Sequence, residues 1–170
     1  MTERFLRPDE IDALCALYED CKRSEHTAWC ADYPDRDCAE ADLRDAAVCA
    51  LFDGETLAAA VTLEKALGEL AEYDWPDTLK SPAEFTRLGV RPAYQGKGLA
   101  RRLLNFALRT AKRQGSDGVR LMVLTTNPRA VALYQNAGFL KVRQVFAYEN
   151  DYFLEELPLT FTCNVDRSAI

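Results

Sequence analysis

Apolar positions recur along the chain with two different periods. Ile11, Leu14, Cys15, Tyr18 and Cys21 fall at helical spacing through about Arg23, behind Pro8 and an N-capping Asp9. Ala100, Leu103, Leu104, Ala107 and Ala111 line one face of a second helix reaching about Gln114, and Arg101, Arg102, Asn105, Arg109 and Lys112 take the other face. Gly115 stands just past its end, as a C-terminal glycine does. A short helix is predicted over 39–46. Another follows Asn127 as cap and Pro128 as first residue, and Gly138 closes it. Short apolar or alternating runs predict strands over 4–7, 47–52, 56–64, 84–90, 140–148 and 152–157. Residues 119–124 are continuously apolar apart from Arg120, as in a strand buried on both faces. Asp53-Gly54 predicts a two-residue hairpin turn, and Glu149-Asn150-Asp151 joins the last two strands.

The resulting order is β-α-α-β-β-β-α-β-α-β-β, an α/β layered arrangement. With no internal repeat or linker, residues 1–170 are expected to form a single domain. Residues 24–38 read as irregular. Residues 65–82 form a long connection with four acids (Glu69, Glu72, Asp74, Asp77) and the aromatics Tyr73 and Trp75. A connection that long is often functional.

Composition narrows the classes. Of 170 residues 48% are apolar and 28% charged, a globular balance. No apolar run reaches 18 residues, and the N-terminus lacks a signal-peptide layout, so no membrane association and a cytoplasmic location are expected. The net charge of −6 hides a division: residues 1–84 carry 8 basic and 21 acidic side chains, whereas residues 85–143 carry 12 basic and one acidic. An acidic chain argues against a general nucleic-acid binder, which must neutralise many phosphates. The basic stretch still leaves room for one polyanionic ligand. The six cysteines form no CxxC pair and match no zinc spacing, and His26 is the one histidine, so no metal site is expected. Cys15 and Cys49 read as small core residues.

The informative stretch runs from Leu88 to Ala100, where a strand enters a glycine-bearing turn that opens a helix. The first N–H groups of a helix lack intrahelical partners and carry the positive end of its dipole, which suits phosphate. Lys97, Arg101 and Arg102 add charge, and Gly96 and Gly98 permit a tight turn. The Walker phosphate loop is excluded because Leu99 stands where Ser or Thr is needed, and GxGxxG is absent.

At this point the sequence resembles the GNAT superfamily of N-acetyltransferases. Its acyl-CoA signature, Gln or Arg, two residues, Gly, one residue, then Gly or Ala, stands here as Gln95-Gly96-Lys97-Gly98-Leu99-Ala100. A second family element, an Asn-capped helix with Tyr ahead of Gly-Phe, reads Asn127 to Phe139. The resemblance is clear over residues 84–140, the expected acyl-CoA-binding core. It implies an α/β fold with a mixed, mostly antiparallel central sheet flanked by helices, and acetyl-CoA as co-substrate.

The resemblance further implies roles for individual residues. Backbone N–H groups of Gln95, Gly96, Lys97, Gly98, Leu99 and Ala100 would bind the CoA pyrophosphate. Leu88 and Val90 would pair with the pantetheine arm, and the Val90 N–H would stabilise the thioester oxyanion. Asn127 would touch the pantetheine, and Ala130 would leave it room. Tyr134 would be the general acid towards the leaving thiolate, whose conjugate acid has a pKa of about 8.5. The acceptor would be a small-molecule or peptide amine, and family members often dimerise.

An amine with a pKa of about 10.4 is roughly one part in 2,500 neutral at pH 7, so a base is needed. Glu84 stands six residues before Val90, the offset of a catalytic Glu in some family members. Strict alternation would place it on the same strand face as Thr86, Leu88 and Val90, unless a bulge intervenes. Glu72, Tyr73 and Asp74, or a water they hold, are alternative bases. Trp29 and Trp75 either wall the acceptor pocket or cover the core. The competing functional class is a module of the same fold that binds acyl-CoA without catalysis, and a third is a nucleotide-phosphate binder using the same turn.

Overall fold

Seven strands form one sheet in the order β1-β2-β3-β4-β5-β7-β6 in a computed structural model of the chain, which describes residues 1–24 and 27–159. The strands are β1 (Thr2–Phe5), β2 (Ala47–Asp53), β3 (Thr56–Glu64), β4 (Pro82–Val90), β5 (Gly118–Leu124), β6 (Leu140–Ala147) and β7 (Asn150–Pro158). The helices are α1 (Ile11–Lys22), α2 (Arg36–Asp45), α3 (Leu99–Arg113) and α4 (Pro128–Asn136). Every neighbouring pair is antiparallel except β4 and β5, which run parallel with α3 as their crossover. The mixed, mostly antiparallel sheet and the element order are those expected from the sequence. No helix among the described residues is long and apolar enough to cross a membrane. His26 and Cys163 lie outside the described residues.

Two apolar clusters cover the two faces of the sheet. On one face Leu103, Leu104, Ala107 and Ala111 of α3 pack on Leu51, Val61, Phe85 and Leu121, with Tyr134 and Phe139 alongside. On the other face Leu14, Leu17, Tyr18 and Cys21 of α1 pack on Val48, Ala50 and Ala60. Each fully buried Leu contributes about 1.5–3 kcal/mol of transfer free energy, so these stripes hold the layers together. Trp29 belongs to the second cluster, edge-on to Tyr18 at 5.4 Å between centroids. It thus covers part of this core.

Several boundaries differ from the sequence reading for local reasons. β1 spans Thr2–Phe5 rather than 4–7, because the chain leaves the sheet into a 3-10 turn at Pro8–Glu10. Asp9 lies inside that turn and does not cap α1. Instead the Glu10 carboxylate accepts from the Arg7 N–H at 2.9 Å and from Arg4. α2 starts three residues early, at Arg36, because Asp35 caps it by accepting from the Cys38 N–H at 2.9 Å. Asp53 pairs with Thr56, which moves the first hairpin turn to Gly54-Glu55. Ala147 pairs with Asn150, so the last hairpin turns on Tyr148 and Glu149.

The largest departure is in β4. Thr62 of β3 faces Thr86, but Ala60 faces Gly89, so β4 carries one extra residue there. The bulge includes Arg87, whose φ is +53°. It reverses the alternation expected across this strand. Glu84 and Thr86 lie on the α1–α2 face, whereas Leu88 and Val90 pack on the α3 side. Gly89 turns towards α1, so close to Leu17, Cys21 and Trp29 that a side chain there would collide with them.

Candidate active site

β4 and β5 are in register from Pro82↔Gly118 to Phe85↔Leu121 and no further. Beyond that point the two parallel strands part, and a crevice opens at their carboxyl ends. Open sheets bind ligands at such ends. α3 begins just after β4 and α4 just after β5, so two helix N-termini flank the crevice.

The direction of the Val90 N–H follows from its neighbour. The Arg91 N–H donates to the Ala58 carbonyl of β3 at 3.0 Å. N–H directions alternate along a strand, so the Val90 N–H points away from β3 to the β5 side, where the Cys21 thiol of α1 also approaches it. The Gln95 side chain fixes the strand end by donating to the Val90 carbonyl at 3.1 Å and to Ser24 Oγ at 3.3 Å.

The turn into α3 takes its shape from Gly96 and Gly98, at φ +74° and +76°. Beyond their chain neighbours, no atom of the described residues lies within 4 Å of where a Cβ would stand at either, so within the protein itself these glycines serve backbone conformation. Among the described residues no side chain caps α3, whereas Asp35 caps α2 and Asn127 caps α4. The first N–H groups of α3 are therefore left for a ligand or solvent. Lys97 does not extend from the turn: its Nζ donates back to the Ala93 carbonyl at 3.1 Å and lies 5.2 Å from the Tyr94 ring centre. Arg102 turns to Glu3 of β1 at 2.8 Å, as does Arg109.

On the opposite wall, Asn127 Oδ1 accepts from the Ala130 N–H at 3.1 Å, starting α4 at the crevice. Ala130 is half-buried against the core. Tyr134, one turn on, is 8% exposed and meets Phe139 edge-on at 5.5 Å. Its hydroxyl has no hydrogen-bond partner among the described residues. Burial pushes its ionisation up, and the Glu155 carboxyl adds to the rise, so the phenol holds its proton at neutral pH. Leu88, Val90, Ala130 and Tyr134 thus share one apolar cluster, and the glycine turn and Asn127 start the helices that follow β4 and β5.

Glu84 does not join them directly. It lies where β4 and β5 are still paired, opposite Arg120 on one side and Glu64 on the other. It is 7% exposed and accepts from the Gly68 N–H at 2.9 Å. Burial pushes its carboxyl up to about 7, with Glu64 and Glu69 adding to the rise and the Gly68 and Leu70 N–H groups opposing it. Nearby, a cleft of about 380 Å³ is lined by Asp42, Asp45, Glu64, Lys65, Gly68 and Arg87. Of the alternative bases, Asp74 pairs with Arg143 at 3.0 Å. Trp75 donates to the Leu70 carbonyl at 2.8 Å and stacks on Arg120, which fastens the 65–82 connection to the sheet.

Tyr73, one of the alternative bases, belongs to a group of tyrosines whose other three members were not foreseen. The Tyr33 hydroxyl meets Arg87 at 3.3 Å, and the Tyr148 hydroxyl donates to Glu69 at 3.0 Å. Tyr73 and Tyr152 stand near enough to interact electrostatically with this group. The four come from three separate segments, and nothing in their sequence spacing links them.

Comparison with known proteins agrees with this architecture. The sequence model of the Acetyltransferase (GNAT) family matches residues 11–139, most of the chain. The chain therefore belongs to the GNAT acetyltransferase family. It is 34% identical over 76 residues to N-alpha-acetyltransferase 30 of Saccharomyces cerevisiae, a match covering 43% of each protein. The matched part is thus less than half of the yeast relative's length. Among solved structures, the ribosomal-protein-S18-alanine N-acetyltransferase of Escherichia coli superposes with a TM-score of 0.73 at 20% identity, over 96% of this chain and 97% of that one. The yncA protein of Salmonella typhimurium, solved with acetyl-CoA, gives 0.71 at 20% identity and covers 94% of both chains. These two likenesses show the fold.

Proposed function

We propose that the protein transfers an acetyl group from acetyl-CoA to a primary amine by direct attack. One observation carries this reading: β4 and β5 stop pairing after Phe85 and Leu121, so the Val90 N–H, which faces away from β3, is left on the side where α3 and α4 begin, and Tyr134 of α4 packs in the same cluster as Val90. Relatives named as N-acetyltransferases, and a structural neighbour solved with acetyl-CoA, support it.

Backbone N–H groups from Gln95 to Ala100 hold the CoA pyrophosphate at the helix terminus. Leu88 and Val90 offer the free edge of β4 to the pantetheine arm, between Asn127 and Ala130 on the other wall. Glu84, ionised above pH 7, takes a proton from the acceptor ammonium through water. The freed amine attacks the thioester carbon, and the Val90 N–H holds the oxyanion that forms. As the C–S bond breaks, Tyr134 gives its proton to the departing thiolate. The adduct nitrogen sheds its extra proton, and Tyr134 is reprotonated. The cleft beside Glu84 sets three carboxylates, Asp42, Asp45 and Glu64, against Lys65 and Arg87, a slight acidic excess that suits a cationic acceptor.

Thiol release from acetyl-CoA, measured against alanine-starting peptides, amino sugars and polyamines, tests the reading. Turnover with one of these amines is expected. Tight CoA binding with no acetylation across the panel would favour the acyl-CoA-binding module instead.

A further inference from the structure

Arg87 has a backbone conformation that a long side chain seldom adopts, with φ at +53°. Such a residue persists where its surroundings over-determine it. Here the surroundings are specific. The guanidinium grips the Asp42 carboxylate of α2 in a two-pronged ion pair, Nε to Oδ2 at 2.7 Å and Nη2 to Oδ1. Asp42 is 2% exposed, and its Oδ2 also accepts from Tyr18 of α1 at 2.8 Å and from Thr62 of β3 at 2.9 Å. Four elements therefore meet on one carboxylate: α1, α2, β3 and β4. The remaining guanidinium contacts are the Tyr33 hydroxyl at 3.3 Å and Glu64 at 3.4 Å.

The place of this clamp along β4 gives it a consequence for chemistry. The extra residue lies between Thr86 and Gly89, and Val90 follows. Removing the bulge shifts the period-two alternation by one residue. The Val90 N–H would then turn from the crevice towards β3, and the Val90 side chain would change faces. We propose that the Asp42–Arg87 ion pair is a positioning device for acetyl transfer, holding the β4 bulge that aims the Val90 N–H at the thioester oxygen. Arg87 touches no reacting atom in this scheme. The inference rests on the assignment of Val90 as oxyanion donor, and it adds the two side chains that set the donor's direction.

Two pairs of variants separate backbone positioning from a role of the charge. Arg87→Ala removes the clamp and keeps a Cβ that disfavours positive φ, whereas Arg87→Gly removes the clamp and accepts positive φ freely. The same pair in an Asp42→Asn background avoids leaving a buried unpaired carboxylate. Turnover is read with acetyl-CoA and an alanine-starting hexapeptide, acetyl-CoA affinity by calorimetry, and the Ala59–Val90 pairing by amide nuclear Overhauser contacts. Arg87→Ala is expected to lower kcat at least tenfold, to change the acetyl-CoA Kd less than threefold, and to lose the Ala59–Val90 pairing. Arg87→Gly is expected to keep the pairing and return kcat to within threefold of wild type. If Arg87→Ala keeps the pairing, or if Arg87→Gly is as slow as Arg87→Ala with the pairing intact, the inference is overturned. If the pairing is lost in Arg87→Ala and kcat is unchanged, the Val90 assignment fails while the clamp stands. If the single variants do not fold, the Asp42→Asn pair is read for the same pairing.

Discussion

Glu64 and Glu84 face each other across the β3–β4 ladder, and the backbone of Gly68 sits against both carboxylates. Like charges directly opposite one another on a sheet repel, and here the pair is also desolvated. The strand places the repulsion where a proton acceptor of neutral pKa would be useful. With the Glu84 carboxyl pushed up to about 7, acetyl transfer is expected to rise with pH through about 7 and then level off. Glu84→Gln keeps an acceptor for the Gly68 N–H but removes the base. It should lower kcat/KM about 100-fold and abolish that inflection. A pH–rate profile in which Glu84→Gln retains the inflection would assign the base elsewhere, Glu72 or Asp74 first.

The same shift predicts how stability depends on pH. Between pH 4.5 and 7 the folded state binds a proton at Glu84 that the unfolded state has released. Stability therefore falls as pH rises through this window, by at most about 3 kcal/mol for this group. Glu84→Gln should consequently melt higher than wild type at pH 8, with the gain vanishing near pH 4. Thermal unfolding at the two pH values measures it.

Tyr134→Phe isolates the hydroxyl, because the ring contact with Phe139 needs only the ring. The hydroxyl makes no hydrogen bond to another described residue that folding would lose. Tm should therefore stay within a few degrees and the acetyl-CoA Kd within threefold, while kcat falls about 100-fold. Full turnover in this variant would remove Tyr134 from the mechanism.

Most of the fold could be read from the chain because it rests on local signals. Asn127-Pro128 starts α4 and Gly138 follows its end, and the α3 stripe of Leu103, Leu104, Ala107 and Ala111 faces the sheet as its period requires. The β4 bulge was not legible, because the partner that holds Arg87 in place is Asp42, 45 residues earlier. That one residue moved Glu84 to the face opposite Leu88 and Val90. The division of charge was legible but its meaning was only partly so. Arg87, Arg91, Arg102 and Arg109 pair with Asp42, Asp20 and Glu3 from the acidic half. Part of the basic run is thus matched within the fold.

Gly89→Ala tests how closely α1 sits on β4. The added Cβ would stand 2.9 Å from Leu17 Cδ2, 3.0 Å from Trp29 Cη2 and 3.1 Å from Cys21 Sγ. All three belong to packed positions of the α1-side core, so the helix must shift. A loss of about 1–3 kcal/mol is expected, measured by urea unfolding. An unchanged unfolding midpoint would mean that α1 is less tightly seated than these contacts imply.

Gly98→Ala tests the phosphate turn by a different physical route, because space is open around Gly98 and only its φ of +76° opposes a side chain. An L-residue in this left-handed region costs about 1–2 kcal/mol. The cost is expressed as weaker binding if the turn relaxes and redirects its N–H groups, or as lower stability if the turn holds. Asn tolerates this conformation better than Ala. Gly98→Asn should therefore lie between wild type and Gly98→Ala in the sum of the two losses. Urea unfolding with and without acetyl-CoA measures both in one experiment, since ligand bound to the folded state raises the midpoint in proportion to its affinity. The expected result is a smaller acetyl-CoA-induced rise in Gly98→Ala than in wild type, with Gly98→Asn between them. An equal rise in all three proteins would show that the turn keeps its shape without glycine, and the N–H cradle would then depend on the start of α3 alone.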